Sequence, residues 1–391
     1  MNQVSQHPGL RIFVLGAGFS VPAGLPLAAG LFQSIKRRVE AIHGVETKFQ
    51  VDIENYIEYR KRCFDETISE DDIDLEAFLS FLDIEHFLGL RGSGTWSDDG
   101  NESQVMVKRF LGQFIHDHTP EGDSLPDCYY EFARRLSTHD VVLTLNYDNV
   151  LERALEHVGK PYRLFPFRYS EIGRWSNTVD SSVDEVVILK LHGSLDWFSN
   201  RQYLRSIEDW RVQGFDGLPH NAIFNDETRF SATPIVDGPR SPDDPLNHVF
   251  RIRGTDDFYS KAEPLETPVI LSPSHYKIVY ATPLLDFWHG LGRSGDMNLG
   301  VSVIGFSLPD HDEYLRIALY QLITNYQDSW WDERVLDTLK DNVKFVDYQQ
   351  DAGGIAEFKA RYGFVDTEKT EYWWDGFGED AVEFLFNPAR A

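Results

Sequence analysis

The sequence is poor in cysteine, in basic residues and in long apolar runs, and each shortage excludes a class of protein. Only two of the 391 residues are cysteines, Cys63 and Cys128. Two distant cysteines supply neither a disulfide framework nor a four-cysteine zinc site, which fits a reducing compartment. No apolar stretch approaches the roughly 20 residues that span a bilayer, and residues 1–10 lack the pattern of a signal peptide. We therefore expect a cytoplasmic protein with no metal site and no membrane partner.

Basic residues are outnumbered by acidic ones, 37 Lys and Arg against 63 Asp and Glu, which gives a formal net charge of -26. A field of this sign repels nucleic acid, so we expect no direct nucleic-acid binding. Hydrophobic residues make up 42% of the chain and aromatic residues 14%, enough for a sizeable core. The length therefore indicates one large domain with insertions, or two domains.

The chain is organised around an apolar run that ends in glycines. Residues 11–15 predict a buried strand, and the apolar pattern over 27–39 predicts a helix. In the loop between them, glycine lets the backbone approach an anion, which free N–H groups and the dipole of a following helix attract. The nucleotide pyrophosphate is expected to contact Gly16, Ala17, Gly18 and Ser20.

Three later apolar strands also run into polar motifs. The strands predicted over 141–145, 186–191 and 301–304 are followed by Asn146-Tyr147-Asp148, His192-Gly193-Ser194 and Gly305-Phe306-Ser307. Strands that alternate with helices predict a parallel sheet, and ligands bind outside the carboxyl ends of such strands. We therefore expect an α/β fold with a Rossmann-like, mostly parallel, doubly wound sheet that gathers these motifs around one crevice.

The predicted Rossmann-like domain is discontinuous and covers residues 10–40 and 138–350. It is interrupted by a helical insertion over 41–137 and by a loop-rich insertion over 200–265, where little periodicity is present. Residues 351–391 form an acidic, aromatic C-terminal tail, for which core or subunit packing is the simplest role.

Taken in order, the motifs Gly-Ala-Gly-Phe-Ser at 16–20, Leu-Asn-Tyr-Asp at 145–148, Lys-Leu-His-Gly-Ser at 190–194 and Gly-Phe-Ser at 305–307 resemble those of sirtuin-like proteins. The nearest variety is the bacterial antiphage-defence type. The resemblance implies an NAD-binding Rossmann-like fold in which the asparagine and the histidine work at the bond between nicotinamide and ribose.

The chain also departs from the sirtuin deacylases. These enzymes carry a four-cysteine zinc module after the histidine motif, whereas residues 197–265 contain no cysteine. Their Asp-Phe-Arg motif is replaced by Leu27-Ala28-Ala29. The resemblance therefore implies hydrolysis of NAD to nicotinamide and ADP-ribose, with NAD as substrate and no metal, rather than lysine deacylation.

Cleavage of the bond to a cationic nicotinamide develops an oxocarbenium-like ribose, so the site needs fixed polar groups and a positioned water. We expect His192 to be the general base, because the pKa of histidine lies near working pH. Asn146 would orient the ribose or the water, and Asp148 would hold the carboxamide or support positive charge.

Some of these residues have an alternative, purely structural interpretation. Asp148 is also placed to cap the next helix, although Asn149 and Glu152 already make a capping-box pattern there. Gly305 and Ser307 have two interpretations, a second contact to the pyrophosphate or a plain strand-to-helix connection.

Two other functional classes are alternatives to hydrolysis. A dehydrogenase fingerprint needs glycine at position 21, which is Val21, so that class is less well supported. An NAD or ADP-ribose sensor would use the same loop without turnover.

Because uncontrolled NAD hydrolysis is toxic, we expect control by assembly or by a partner. The resemblance implies a homo-oligomer and a separate activating partner, either a HerA-type ATPase or a short Argonaute.

Overall fold

The structure is a computed structural model that describes residues 10–26, 30–90, 100–225, 229–260, 266–288, 296–309 and 312–389. It divides into two compact units. The sheet unit comprises Met1–Leu27, Thr119–His192 and Leu285–Ala391, and the insert unit comprises Ala28–His118 and Gly193–Leu284.

The described strands are numbered in chain order. They are β1 (Arg11–Leu15), β2 (Val141–Thr144), β3 (Tyr162–Arg163), β4 (Tyr169–Ile172), β5 (Asn177–Val179), β6 (Val186–Lys190), β7 (Gly193–Ser199), β8 (Thr233–Pro234), β9 (Val249–Arg251), β10 (Pro268–Ile270), β11 (Gly300–Ile304), β12 (Val343–Val346) and β13 (Thr370–Trp373).

The described α-helices are numbered in the same way. They are α1 (Leu31–His43), α2 (Lys48–Phe64), α3 (Leu75–Phe87), α4 (Glu102–His118), α5 (Asp127–Arg135), α6 (Val150–His157), α7 (Arg201–Val212), α8 (Thr255–Ser260), α9 (Leu285–Trp288), α10 (Glu313–Asp328), α11 (Ala352–Arg361) and α12 (Glu379–Phe386).

The sheet unit is built on a seven-stranded sheet with the order β13-β12-β11-β1-β2-β6-β3. Every neighbouring pair in it is parallel. From β1 the chain continues to β2 on one side, and its later part returns to β11 on the other side. The point between β1 and β11 is therefore the topological switch point, where α/β sheets bind ligands. This topology confirms the predicted Rossmann-like α/β class.

The central strands are apolar along their whole length, as is typical of parallel strands covered on both faces. All five residues of β1 are buried, and so are all five of β6. Phe13 of β1 packs with its ring 5.3 Å from that of Phe132 on α5 and 5.4 Å from that of Phe386 on α12. Helices from distant parts of the chain thus cover the strand that leads into the glycine loop.

The insert unit contains α1–α4 and a four-stranded sheet with the order β10-β7-β9-β8. The ladders of this sheet are antiparallel. Phe198 of β7 packs on Phe258 of α8 with ring centroids 4.7 Å apart, and the guanidinium of Arg109 lies 4.0 Å from the centroid of the Phe258 ring. This unit has its own core.

The structure draws the boundaries differently from the sequence prediction. Residues from Ala28 belong to the insert unit, whereas α5, which falls in the predicted insertion over 41–137, belongs to the sheet unit. The predicted loop-rich insertion over 200–265 contains α7, in which Tyr203, Ile207 and Trp210 recur at helical spacing, a period that the sequence prediction missed. The predicted tail over 351–391 supplies the edge strand β13 and two helices, because its aromatic residues pack in the core.

Several predicted helices also differ in detail. The helix expected over 27–39 is found as α1, and Leu27-Ala28-Ala29 lie outside the described residues. The sequence over 276–291 predicts one helix, whereas its described residues, up to 288, form two 3-10 turns and the short α9. The helix expected from Asp310 is α10, and Asp310 itself is not among the described residues. Across the described chain, no helix combines the length and the apolar character needed to cross a membrane.

Candidate active site

The register of the sheet brings the sequence motifs to one edge. Across the five strands from β12 to β6, a single row of paired residues contains Val346, Ile304, Leu15, Thr144 and Lys190, and it continues to Trp373 of β13. The residues that follow this row are Asp347, Gly305, Gly16, Leu145 and Leu191. The five strands from β12 to β6 therefore end at the same level. Asn146 and His192 each lie two residues beyond this row, on neighbouring strands. The motifs thus lie at one edge of the sheet, and their arrangement around one crevice stays a prediction.

The glycine loop and the loop after β11 are packed backbone against backbone. A Cβ atom on Gly18 would lie 2.6 Å from Gly305 Cα, and one on Gly16 would lie 2.5 Å from the Gly305 carbonyl oxygen. Gly305 itself has φ +63, and its Cβ would lie 2.3 Å from the Phe19 nitrogen. These glycines are needed for the close approach of the two loops at the switch point.

Most amides of the glycine loop are already hydrogen-bonded within the protein. The Gly16 N–H donates to Ile304 O and the Gly18 N–H to Gly305 O, each at 2.9 Å. The amides of Phe19 and Ser20 close a 3-10 turn within the loop. Among the described residues 16–20, the exposed Ala17 alone keeps an amide without such a bond. An anion at this loop would therefore meet the Ala17 N–H first.

Asn146 is held by both protons of its side-chain amide. Its Nδ2 donates to Gly16 O at 2.9 Å and to Ser20 Oγ at 3.1 Å. Because a carbonyl oxygen only accepts, the amide nitrogen must face Gly16, and this fixes the orientation of the side chain. The Oδ1 atom then has to point away from the loop. It is an acceptor suited to a ribose hydroxyl or to a water molecule.

Ser20 is buried and takes part in this network. Its hydroxyl accepts from Asn146 and donates to Asp148 Oδ2 at 2.8 Å. The one hydroxyl proton is thus already donated within the protein. A contact from Ser20 to a pyrophosphate stays a prediction, and in this structure the side chain links the asparagine to the aspartate.

Asp148 is also buried, and both its carboxylate oxygens have partners. Oδ2 accepts from Ser20, and Oδ1 accepts from the Val150 N–H at 3.0 Å, at the start of α6. The capping-box pattern of Asn149 and Glu152 is not formed, because both side chains bind Lys190 instead. Asp148 therefore caps the helix, and its proposed contact to the carboxamide stays a prediction.

Lys190, the last residue of β6, fixes the turn that carries Asn146 and Asp148. Its Nζ donates to Glu152 Oε1 at 2.7 Å, to Asn149 Oδ1 at 3.3 Å and to the Asp148 carbonyl oxygen. Neither Lys190 nor Glu152 is open to solvent. This buried ion pair joins the carboxyl ends of β2 and β6, so it ties the position of Asn146 to that of His192.

His192 is buried at the end of β6 between two aromatic side chains. Its ring centroid lies 6.2 Å from that of Tyr147 and 6.2 Å from that of Tyr314. The Tyr314 hydroxyl is 2.6 Å from Nε2 of His192. The imidazole is thus held in one orientation at the sheet edge, as a general base requires.

The remaining predicted residue, Ser307, is exposed beyond β11. Its carbonyl oxygen accepts from Arg361 at 3.4 Å, and Tyr362 donates to Phe306 O at 2.7 Å. These bonds fix the backbone after Gly305 and leave the Ser307 side chain at the surface. Its contact with a pyrophosphate stays a prediction.

Sequence reasoning missed the residues that position the site. Tyr129 of α5 donates to Phe19 O at 2.6 Å and accepts from the Ala23 N–H at 3.1 Å. These two hydrogen bonds fix the backbone at the end of the glycine loop. Burial raises the pKa of the Tyr129 hydroxyl, which stays protonated. Asp347, at the end of β12, has a pKa raised by burial. No local pattern marks Tyr129, whereas Asp347 follows an apolar strand as the predicted residues do.

The cysteines do not form a metal site, since Cys63 is exposed and Cys128 is buried. In the part of the chain that the structure describes, no group of three or more His, Cys, Asp or Glu side chains is arranged to hold a metal ion.

Comparison with known proteins supports a sirtuin-like protein. Residues 140–331, slightly under half of the chain, match the model of the SIR2-like domain family. This segment includes Asn146, His192 and Gly305. No protein with a curated description matches the chain.

Solved sirtuin structures align with the chain at low similarity. A structure of Sir2 bound to a propionylated peptide is 11% identical, with 96% of this chain and 91% of that chain covered and a TM-score of 0.34. A Sir2–p53 peptide–NAD+ structure is also 11% identical, with coverages of 96% and 91% and a TM-score of 0.32. The fold assignment therefore rests on the strand order and register described above.

Proposed function

We propose that the protein is an NAD+ glycohydrolase that cleaves NAD to nicotinamide and ADP-ribose. The observation that supports this most directly is that Asn146 and His192 follow neighbouring strands at the same edge of the sheet. They extend two residues beyond the paired residues Thr144 and Lys190, next to the glycine loop at the switch point. The match of residues 140–331 to a SIR2-like domain agrees with NAD as the substrate.

The chemistry follows from the atoms that each side chain offers. Asn146 presents Oδ1, which accepts a hydrogen bond from a ribose hydroxyl or from the attacking water. His192 takes the proton that this water or hydroxyl releases as the oxocarbenium-like ribose is captured. Nicotinamide leaves as a neutral molecule from a cationic ring, so no strong acid is needed at the leaving group.

Two alternatives make different demands on the same site. A sensor of NAD or ADP-ribose would bind through the glycine loop but release no nicotinamide. A deacylase would release nicotinamide only when an acyl-lysine peptide is present. Nicotinamide release with NAD alone, measured against release with NAD plus an acetylated peptide, separates the three functions.

The test is incubation of the purified protein with NAD while nicotinamide is followed by chromatography. His192→Ala and Asn146→Ala should each abolish NAD loss while the folded state is retained. The exposed His139 and Asn177 provide matched controls, since their alanine variants remove the same side-chain types elsewhere in the sheet unit. Full activity in both site variants would refute the assignment of these residues.

We further propose that this activity serves antiphage defence, in a homo-oligomer controlled by a separate partner such as a HerA-type ATPase or a short Argonaute. The formal net charge of -26 favours a partner, rather than this chain, as the nucleic-acid sensor. Depletion of cellular NAD after phage infection, lost in the His192→Ala variant, is the expected result. Constitutive activity of the isolated monomer would contradict control by assembly.

A further inference from the structure

Tyr314 contacts the imidazole on which the proposed reaction depends. It lies in the first turn of α10, and its hydroxyl oxygen is 2.6 Å from Nε2 of His192. The ring of Trp288 lies against the Tyr314 ring in an edge-to-face arrangement, with centroids 5.5 Å apart. The tyrosine is therefore held from the other side as well, and its hydroxyl has a fixed place beside the imidazole.

We propose that Tyr314 is the positioning residue of His192, which orients the imidazole and supports it in both protonation states. This inference rests on the proposed function, because it assigns a role within the same site. A hydroxyl both donates and accepts hydrogen bonds. Here it accepts from Nε2–H in the neutral imidazole and in the imidazolium alike, so the neutral ring has one tautomer and the proton that His192 takes up goes to Nδ1.

A hydroxyl suits a base that must gain and lose a proton in each turnover. A carboxylate at the same place would favour the imidazolium and would raise the pKa of the histidine above the range where it accepts protons at neutral pH. The hydroxyl favours neither form strongly. Tyr314 thus keeps the ring in place without fixing its charge.

The aromatic neighbours restrain the ring less than the hydrogen bond does. The rings of Tyr147 and Tyr314 are inclined at 34° and 45° to the imidazole, with centroids 6.2 Å away, so neither is stacked on it. Loss of the hydroxyl alone should therefore weaken the restraint on the imidazole, even though the phenyl ring of a Tyr314→Phe variant stays against Trp288.

The test compares Tyr314→Phe with Tyr320→Phe, a control on the same helix whose ring is half exposed. For NAD hydrolysis we expect Tyr314→Phe to lower kcat roughly tenfold, the equivalent of one hydrogen bond, with little change in KM. The limb of the pH–rate profile that reports the base should shift as well. The control should match the parent protein in all three quantities.

A second measurement does not depend on turnover. Long-range proton–nitrogen NMR of the histidine rings, with His192 assigned by its loss in His192→Ala, should show one dominant tautomer in the parent protein. In Tyr314→Phe, the tautomers should be mixed and the pKa of His192 should change. If both the tautomer and the pKa are unchanged, or if kcat rises, the inference is wrong.

The two proposals fail in different ways. If His192→Ala retains NAD hydrolysis, the proposed function of the site fails whatever Tyr314 does. If His192→Ala is inactive while Tyr314→Phe keeps the parent kcat, pH profile and tautomer, only the role of Tyr314 is refuted.

Discussion

The side-chain amide of Asn146 donates to the hydroxyl of Ser20 at 3.1 Å. A residue of the glycine loop therefore orients the asparagine that follows the neighbouring strand β2. Ser20 in turn donates to Asp148, which caps the helix behind that asparagine. The three side chains form one chain of hydrogen bonds between β1 and β2. In the proposed reaction, Ser20 would therefore couple binding at the glycine loop to chemistry at the ribose.

Replacement of Ser20 by alanine should impair catalysis more than binding. The variant leaves Asp148 Oδ2 and one proton of the Asn146 amide without their partner, at a cost of about 1–3 kcal/mol in stability. Since Asn146 keeps only its bond to Gly16, kcat for NAD should fall roughly tenfold. Thermal unfolding and steady-state kinetics measure the two effects.

Ser34→Ala is the matched control, because the Ser34 hydroxyl bonds to near neighbours in the sequence, donating to Gly30 O and accepting from Arg37. It should change neither stability nor kcat appreciably. If Ser20→Ala raises KM strongly and leaves kcat intact, Ser20 contacts the substrate directly, as the sequence alone suggests.

Removal of the Lys190 side chain should be costly, because the buried carboxylate of Glu152 would lose its ion pair with Lys190. Lys190→Met is expected to lower the free energy of unfolding by about 3–5 kcal/mol. The double variant Lys190→Met/Glu152→Leu removes both charges and should recover part of that loss. Chemical denaturation of the three proteins gives the comparison, and a double variant less stable than the single one would contradict it.

The sheet edge could be predicted from sequence because it depends on local patterns. The apolar run over 11–15 predicts a strand with the observed limits, and the rule that ligands bind at the carboxyl ends of parallel strands places the residues after the predicted strands together. This rule alone was enough to predict that the motifs at Asn146 and His192 lie at the same sheet edge. Their order along the chain, combined with parallel pairing, puts them on neighbouring strands.

The supporting contacts could not be predicted, because they join residues far apart in sequence. Tyr129 bonds Phe19 across 110 positions, and Tyr314 reaches His192 across 122. The capping-box prediction at Asn149 was wrong for a related reason, since Lys190 competes for its side chain from another strand. Helix and capping propensities depend on residues near in the sequence, so they do not show competition from a side chain on a distant strand.

The pH dependence of stability should show the titration of Lys340. Its ammonium is buried and donates to Tyr326 O at 3.0 Å and Ser329 O at 2.6 Å, at the end of α10. Burial lowers its pKa from 10.5 to about 8. Between these pH values the unfolded chain binds the proton that the folded protein has released, so this group adds stability as pH rises.

The measurement is the free energy of unfolding of the parent protein and of Lys340→Met at several pH values from 7 to about 11. The difference, parent minus variant, should increase with pH by at most about 3 kcal/mol over the interval and level off above it. A difference that falls as pH rises would show that the folded protein holds the proton more tightly than the unfolded chain.

The C-terminal segment should affect NAD binding through Phe377, which packs under the glycine loop. Its ring lies 4.6 Å from that of Phe19 and 5.3 Å from that of Tyr129, and the side chain is buried. Phe377→Ala opens a cavity there and should cost about 3–5 kcal/mol. Because Tyr129 and Phe19 then lose their support, the KM for NAD should rise.

Phe384→Ala, in the same segment but packed against Trp373, should lower stability without changing KM. Equal effects of the two variants on KM would show that the segment acts only through overall stability, and not through the loop that Ser20 and Asn146 share.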